Sequence, residues 1–227
     1  MSRSRENFFR WCFSLASTLG IFSPQLALAD VLRKIQNDPE FVKLSGDNKF
    51  VIDLRYATAN NFMSTNVYQE FNQCFLHKES AGKLYHAARS LKELKPGWRL
   101  VLFDCLRPRS IQWKLWEKVK DTPQQHYVAD PVKGSLHNYG LAVDLSIVDE
   151  NGKEADMGTS FDTFSELSQP KFEDRFFAEK KLTIEQLSNR HLLRKVMTEA
   201  GFLQLQTEWW HYDAVAREQL KHYKIVE

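Results

Sequence analysis

Residues 135–148 read Ser-Leu-His-Asn-Tyr-Gly-Leu-Ala-Val-Asp-Leu-Ser-Ile-Val, and they combine the clearest strand of the chain with two metal-ligand side chains. From Ala142 to Val148 the pattern is that of a strand. Val143, Leu145 and Ile147 share one face, and Ala142, Asp144 and Ser146 share the other. A carboxylate among strand hydrophobes needs a partner, and a metal ion is one. His137 stands just before the strand, and Gly140 lets the chain turn tightly between them. A second segment, Glu208-Trp209-Trp210-His211, is equally rich in ligand types. Catalytic zinc typically takes three protein ligands from His and carboxylate and keeps one position for water. His137, Asp144 and His211 would supply that set, and Glu208 would take the proton of the water. Glu208 and His211 are an odd number of residues apart, so on a flat strand they face opposite sides. Both can meet one ion only if a bulge or turn lies between them. On spacing alone a plainer reading stays open: a hydrogen-bonded structural histidine and a core edge with two buried tryptophans. His77, His86, His126, His191 and His222 have no comparable company and read as surface or structural residues.

Outward from this segment the chain mixes short strands with helices. Lys49–Leu54 and Arg99–Phe103 read as strands. Residues 83–94 carry Leu84, Ala87, Leu91 and Leu94 at helical spacing, and Pro96-Gly97 ends that helix. Arg109–Val119 reads as a helix with Trp113 and Trp116 on one side, followed by a polar loop over 122–134 and, later, an Asn151-Gly152 turn. Thr183 and Gln186 form a capping box for a helix to Ala200, closed by Gly201, with Leu192, Leu193, Val196, Met197 and Ala200 facing the core. Phe202–Leu205 and Glu208–Tyr212 read as short extended pieces. Strands interspersed with helices, without regular βαβ spacing, predict an α+β fold with a mainly antiparallel sheet and flanking helices.

Composition limits the function classes. The chain has 227 residues, 43% hydrophobic and 26% charged, which is the profile of a globular protein with a sizeable core. Its net charge of +2 comes from 31 Lys+Arg against 29 Asp+Glu. Residues 1–29 hold three arginines and one glutamate, so the remainder balances at 28 against 28. A neutral body argues against a nucleic-acid binder. No apolar run approaches the ~20 residues that span a bilayer. Arg3, Arg5 and Arg10, then the mostly apolar stretch from Trp11 to Phe22, then Ala27-Leu28-Ala29 before Asp30, form a signal-peptide pattern. The expectation is a signal peptide over 1–29, export to the periplasm or beyond, and one catalytic domain over 30–227. Export leaves Cys74 and Cys105, which could pair in an oxidising compartment or stay as buried thiols.

At these residues the sequence resembles the zinc D-alanyl-D-alanine dipeptidases, the vancomycin-resistance type, which are related to the D,D-carboxypeptidases and share the hedgehog fold. The resemblance rests on Ser-x-His-x-x-Gly-x-Ala-x-Asp at 135–144 and Glu-x-x-His at 208–211. Residues 53–58 with Asn61-Phe62, Leu106-Arg107-Pro108 and residues 157–162 add to it, with Leu106 standing where the family has tyrosine. The resemblance implies one zinc ion held by His137, Asp144 and His211, with Glu208 as general base. It implies that Arg107 holds the oxyanion, and that Ser135, Asp162 and Tyr56 surround the ammonium of a small dipeptide. Two other functions remain open at this level: a D,D-carboxypeptidase trimming longer stem peptides, and a zinc-stabilised binding module without catalysis.

Overall fold

A five-stranded sheet in the order β2-β4-β5-β7-β6 organises the computed structural model, which describes residues 24–227, with side chains from Leu28 onward. The strands are β2 (Phe50–Ile52), β4 (Arg99–Asp104), β5 (Ala142–Val148), β6 (Leu203–Gln204) and β7 (His211–Asp213). Only β2 and β4 run parallel; every other pairing in this sheet is antiparallel, as the sequence pattern predicts. β1 (Phe41–Lys43) and β3 (Phe75–His77) form a separate antiparallel ribbon. The helices are α1 (Pro24–Gln36), α2 (Lys78–Leu94), α3 (Arg109–Val119), α4 (Glu173–Ala178) and α5 (Ile184–Glu199). The basic segment and apolar stretch of the expected signal peptide lie outside the described residues, and the backbone of α1 runs through Ala27-Leu28-Ala29.

β5 has the bounds its sequence pattern gives, but all seven of its residues are buried. It sits in the middle of the sheet, so both faces are covered and the apolar-polar alternation does not mark an inside and an outside. α2 starts five residues before Lys83 because the His77 side chain accepts a hydrogen bond from the Glu79 N–H and caps it. α3 buries Ile111, Gln112, Leu115 and Val119, while Trp113 is 41% exposed, so the two tryptophans do not share a buried face. In α5 the capping box forms as read, and Leu193, Val196 and Met197 are buried, whereas Leu192 and Ala200 are only half-buried. The extended piece read over Glu208–Tyr212 is strand only from His211 on. Glu208 precedes a turn at Trp209 and Trp210.

Two devices fix the end of the sheet where the ligand candidates lie. The β4–β5 register shifts between Leu102 and Asp104, which brings Asp104 opposite Asp144. Cys74 and Cys105 are joined in a disulfide with Cα atoms 5.4 Å apart, tying the start of β3 to the residue after β4. Away from that end, the α5 cap offers a simple check on the fold. Thr183→Ala removes the acceptor for the Gln186 N–H. We expect a loss of about 1 kcal/mol, read as a fall of roughly 2–4 °C in Tm, with activity unchanged.

Candidate active site

The three ligand candidates reach one point from three different local structures. His137 lies in a short helical turn, Leu136–Tyr139, capped by Ser135 and closed by Gly140. Gly140 has φ +66°, and a Cβ there would meet the His77 nitrogen at 2.8 Å, so glycine is required. Asp144 stands in β5, and His211 is its register partner in β7. His137 Nε2 is 3.2 Å from His211 Nδ1. Asp144 Oδ1 is 3.3 Å from the first and 3.0 Å from the second. Atoms set about 2.0–2.1 Å from a tetrahedral zinc lie roughly 3.3 Å from one another. The trio therefore has close to the edge lengths of one face of such a tetrahedron.

The outward ring nitrogens are held as well. His137 Nδ1 donates to the Cys105 carbonyl at 2.8 Å, and His211 Nε2 donates to Asp213 Oδ1 at 2.8 Å. With those protons fixed outward, Nε2 of His137 and Nδ1 of His211 both turn lone pairs toward the Asp144 carboxylate. Three acceptors facing each other in a buried place call for a cation, and the donor set of two imidazoles and a carboxylate suits zinc. Burial opposes charge on both sides of this pair. Even so, His137 and His211 hold the Asp144 carboxyl well below the usual range, while Asp213 and Asp144 hold His211 above its ordinary value. A proton thus competes with a metal ion for the same place. Asp213→Ala should weaken zinc binding about tenfold or more, measured by chelator competition, because His211 loses the partner that fixes its tautomer.

Glu208 reaches the same centre, with Oε2 4.0 Å from His211 Nδ1. The turn that the odd spacing requires is present. Trp209 donates from its backbone to Ser168 O and from Nε1 to Thr159 Oγ1, and the Trp210 carbonyl accepts from Leu145 N. Both indoles are buried, so the turn is anchored on the core. Burial pushes the Glu208 carboxyl up to about 7.

Arg107 lies at the start of the link between β4 and α3. Its guanidinium donates to Asp104 through Nε, at 2.8 Å, and Nη2, and to Gln112 Oε1 through Nη1 at 2.8 Å. Three of the five N–H groups of a guanidinium are then engaged, which leaves two for the cleft. Asp104 is fully buried and also accepts from the Tyr68 hydroxyl and from Cys105 N. Leu106, where the family pattern has tyrosine, packs with Ile35, Phe71 and Phe75, and Arg107 keeps its place in the cleft. Asp162, at φ +60°, accepts from the Tyr56 hydroxyl at 3.1 Å and from Phe62 N at 3.3 Å. Burial, and then the charge of Asp144, push its carboxyl well above the usual value. Among the described residues no Lys, Arg or His lies within ion-pair distance of it.

All eight residues read from the sequence line one cleft of about 240 Å³: Tyr56, Arg107, Ser135, His137, Asp144, Asp162, Glu208 and His211. His126, read as a surface or structural residue, is exposed and also lines this cleft. Its ring tilts onto Tyr127, which stacks on Phe164 at 4.8 Å. The sequence reading did not identify Asp104, Tyr68, Gln112 or the Cys105 carbonyl as parts of the site. Asp213 had a usable signal, since two residues beyond His211 on a strand is the same face. Asn138, equally near in sequence, serves Ser135 N and the Arg107 carbonyl instead.

A family model described as D-ala-D-ala dipeptidase matches residues 41–225. The chain is 37% identical to a D-alanyl-D-alanine dipeptidase of Escherichia coli K12 over 162 residues, covering 71% of this chain and 77% of the relative. A D-alanyl-D-alanine dipeptidase of Synechocystis is 28% identical over 57% of this chain and 65% of its own length. One of Enterococcus faecalis is 29% identical over 72% and 85%.

Proposed function

The chain belongs to the peptidase M15 family of D-ala-D-ala dipeptidases, and on that premise we propose that it hydrolyses D-alanyl-D-alanine, or a close D-amino-acid dipeptide, with zinc as cofactor. The observation that carries this reading is the convergence of three lone-pair donors beside Glu208. A structural zinc site closes with a fourth protein ligand, whereas Glu208 stands beside the trio, 4.0 Å from His211 Nδ1, and is placed as a proton acceptor. His137, Asp144 and His211 would hold the zinc, which when bound would supply a Lewis acid for the scissile carbonyl and lower the pKa of water. Glu208 takes the proton of the attacking water and passes it to the leaving amine. The two free N–H groups of Arg107 hold the carbonyl oxygen as it gains charge.

Specificity follows from the charged end of a small substrate. Asp162 is a partly buried carboxylate whose present partners are a hydroxyl and a backbone N–H, so a substrate ammonium supplies its missing cation. Ser135 offers an oxygen acceptor in the same cleft, and Tyr56 orients Asp162. A cleft of about 240 Å³ lies below the range that drug-sized ligands need, which suits a dipeptide. For location we propose export, with 1–29 removed as a signal peptide. The Cys74–Cys105 bond supports an oxidising compartment. There the enzyme meets dipeptides in the cell-wall space, which suits wall remodelling or salvage.

The test is a panel of D- and L-dipeptides, N-acetyl-D-alanyl-D-alanine and a muramyl pentapeptide, each with and without chelator. We expect cleavage of the free D,D-dipeptide, its loss with chelator and its return with zinc. The acetylated dipeptide should be refused. Cleavage of the pentapeptide alone would make the protein a carboxypeptidase and dissolve the ammonium pocket. Mass spectrometry of exported protein should find Asp30 at the N-terminus.

A further inference from the structure

Cys105 occupies an unusual place. Its side chain is bonded to Cys74, and its carbonyl accepts the Nδ1–H of His137. The two candidate histidine ligands are thus oriented by different means. His211 is held by a side chain, Asp213, on its own strand. His137 is held by a main-chain carbonyl in the link between β4 and α3, and no rotamer can bring that oxygen back if the link shifts. Its position depends on what anchors the backbone of residue 105. On one side Cys105 N donates to Asp104 Oδ1. On the other, Leu106 N donates to Phe75 O and Arg107 N to His137 O. The covalent anchor is Cys74, which is itself pinned by the Ser45 hydroxyl on its N–H and by Leu44 N on its carbonyl. Both cysteines are fully buried, so the bond is packed into the core beside the site.

We propose that the Cys74–Cys105 disulfide is a positioning element for the metal centre: it fixes the carbonyl that keeps the His137 proton on Nδ1 and the Nε2 lone pair inward. This rests on the zinc reading above and deepens it. Without the bond, the 105 carbonyl moves from the His137 ring; the next acceptor facing Nδ1, Asp104 Oδ2, lies at 3.7 Å, beyond hydrogen-bond length, so the ring can take the other tautomer, with Nε2 protonated and unable to bind a metal. Arg107, two residues on, keeps its contacts to Asp104 and Gln112, so the first effect falls on the metal rather than on the guanidinium.

The experiment compares the wild-type protein with C74A/C105A. Zinc affinity is measured by chelator competition, and the ring protons of both histidines are followed by nitrogen-15 NMR. The expected result is a folded variant with zinc binding weakened about tenfold or more, the His137 Nδ1–H signal lost and the His211 Nε2–H signal kept. His211 is the internal control, because a general loosening would affect both rings. Equal zinc affinity in the two proteins would overturn the proposal. Equal loss at both histidines would also overturn it, since the bond would then be scaffold only. If the variant folds only with zinc present, the rate of zinc release into excess chelator replaces the equilibrium measurement, with release expected to be faster than from wild type. A variant that folds in neither condition would assign the bond to the fold as a whole and refute the positioning role. Wild-type protein that binds no zinc would remove the zinc reading itself, a result separate from all of these.

Discussion

Glu208→Ala is expected to lower turnover of D-alanyl-D-alanine by roughly 10²–10⁴-fold, the usual contribution of a positioned proton-transfer group, and to leave zinc bound. The reason is geometric. Glu208 stands 4.0 Å from a ligand nitrogen but is not one of the three donors, so its loss removes a base and keeps the ion. The two readouts must separate: kcat falls while the zinc content stays at one per chain. Unchanged turnover in a zinc-loaded variant would show that another group moves the proton. The pH profile gives an independent check. Burial raises Glu208 to about 7, and a divalent ion beside it stabilises the ionised form and pulls the value down again. The base acts only when ionised, so activity is lost as pH falls through that value. We expect an acid limb in kcat/KM with its midpoint at or below about 7. A midpoint clearly above 7 would be incompatible with Glu208 in this role.

Arg107→Ala carries two costs at once, and they fall on different measurements. In the cleft it would remove the proposed donors for the developing oxyanion, an expected loss of roughly 10²–10³ in kcat. In the core it leaves Asp104 fully buried with only the Tyr68 hydroxyl and a backbone N–H. Breaking a buried ion pair from one side costs about 3–5 kcal/mol, seen as a lower denaturant midpoint. R107A/D104A tests the division. It removes the orphaned charge as well, so stability recovers in part while turnover stays low. Arg107→Lys keeps a charge near Asp104 but cannot make the two-nitrogen contact, so it should fall between the two. If R107A folds as stably as wild type, Asp104 has another source of compensation. If R107A keeps full turnover, the oxyanion is held elsewhere.

The site was more legible in the sequence than its supports. His137, Asp144 and His211 could be grouped because side chains of metal-ligand type are chemically rare in such company, and the structure brings them together. Glu208 could be read as a second carboxylate three residues from His211, although the odd interval opposed it unless a turn intervened, and the buried Trp209–Trp210 pair supplies that turn. Asp104 could not be read as Arg107's partner, because what brings it opposite Asp144 is a register shift in the pairing of two strands distant in the chain. The Cys105 carbonyl has no side-chain signature at all. In β5 the alternation was right as a strand signal and silent on exposure, since a central strand is buried on both faces. In α3 the reading placed Trp113 and Trp116 on one side without saying which side packs, and the packing is made by Ile111, Leu115 and Val119.

Asp144 and His211 face each other only through the pairing of β5 with β7, a contact across 67 positions of the chain. The donors do not exist as a set until β7 has docked on β5. An ion held here would therefore bind only after that pairing, unlike small zinc modules in which the ion drives the chain together. Exported as proposed above, and crossing unfolded, the chain would meet its metal only on the far side, and the zinc content of that medium would set how much of it becomes active.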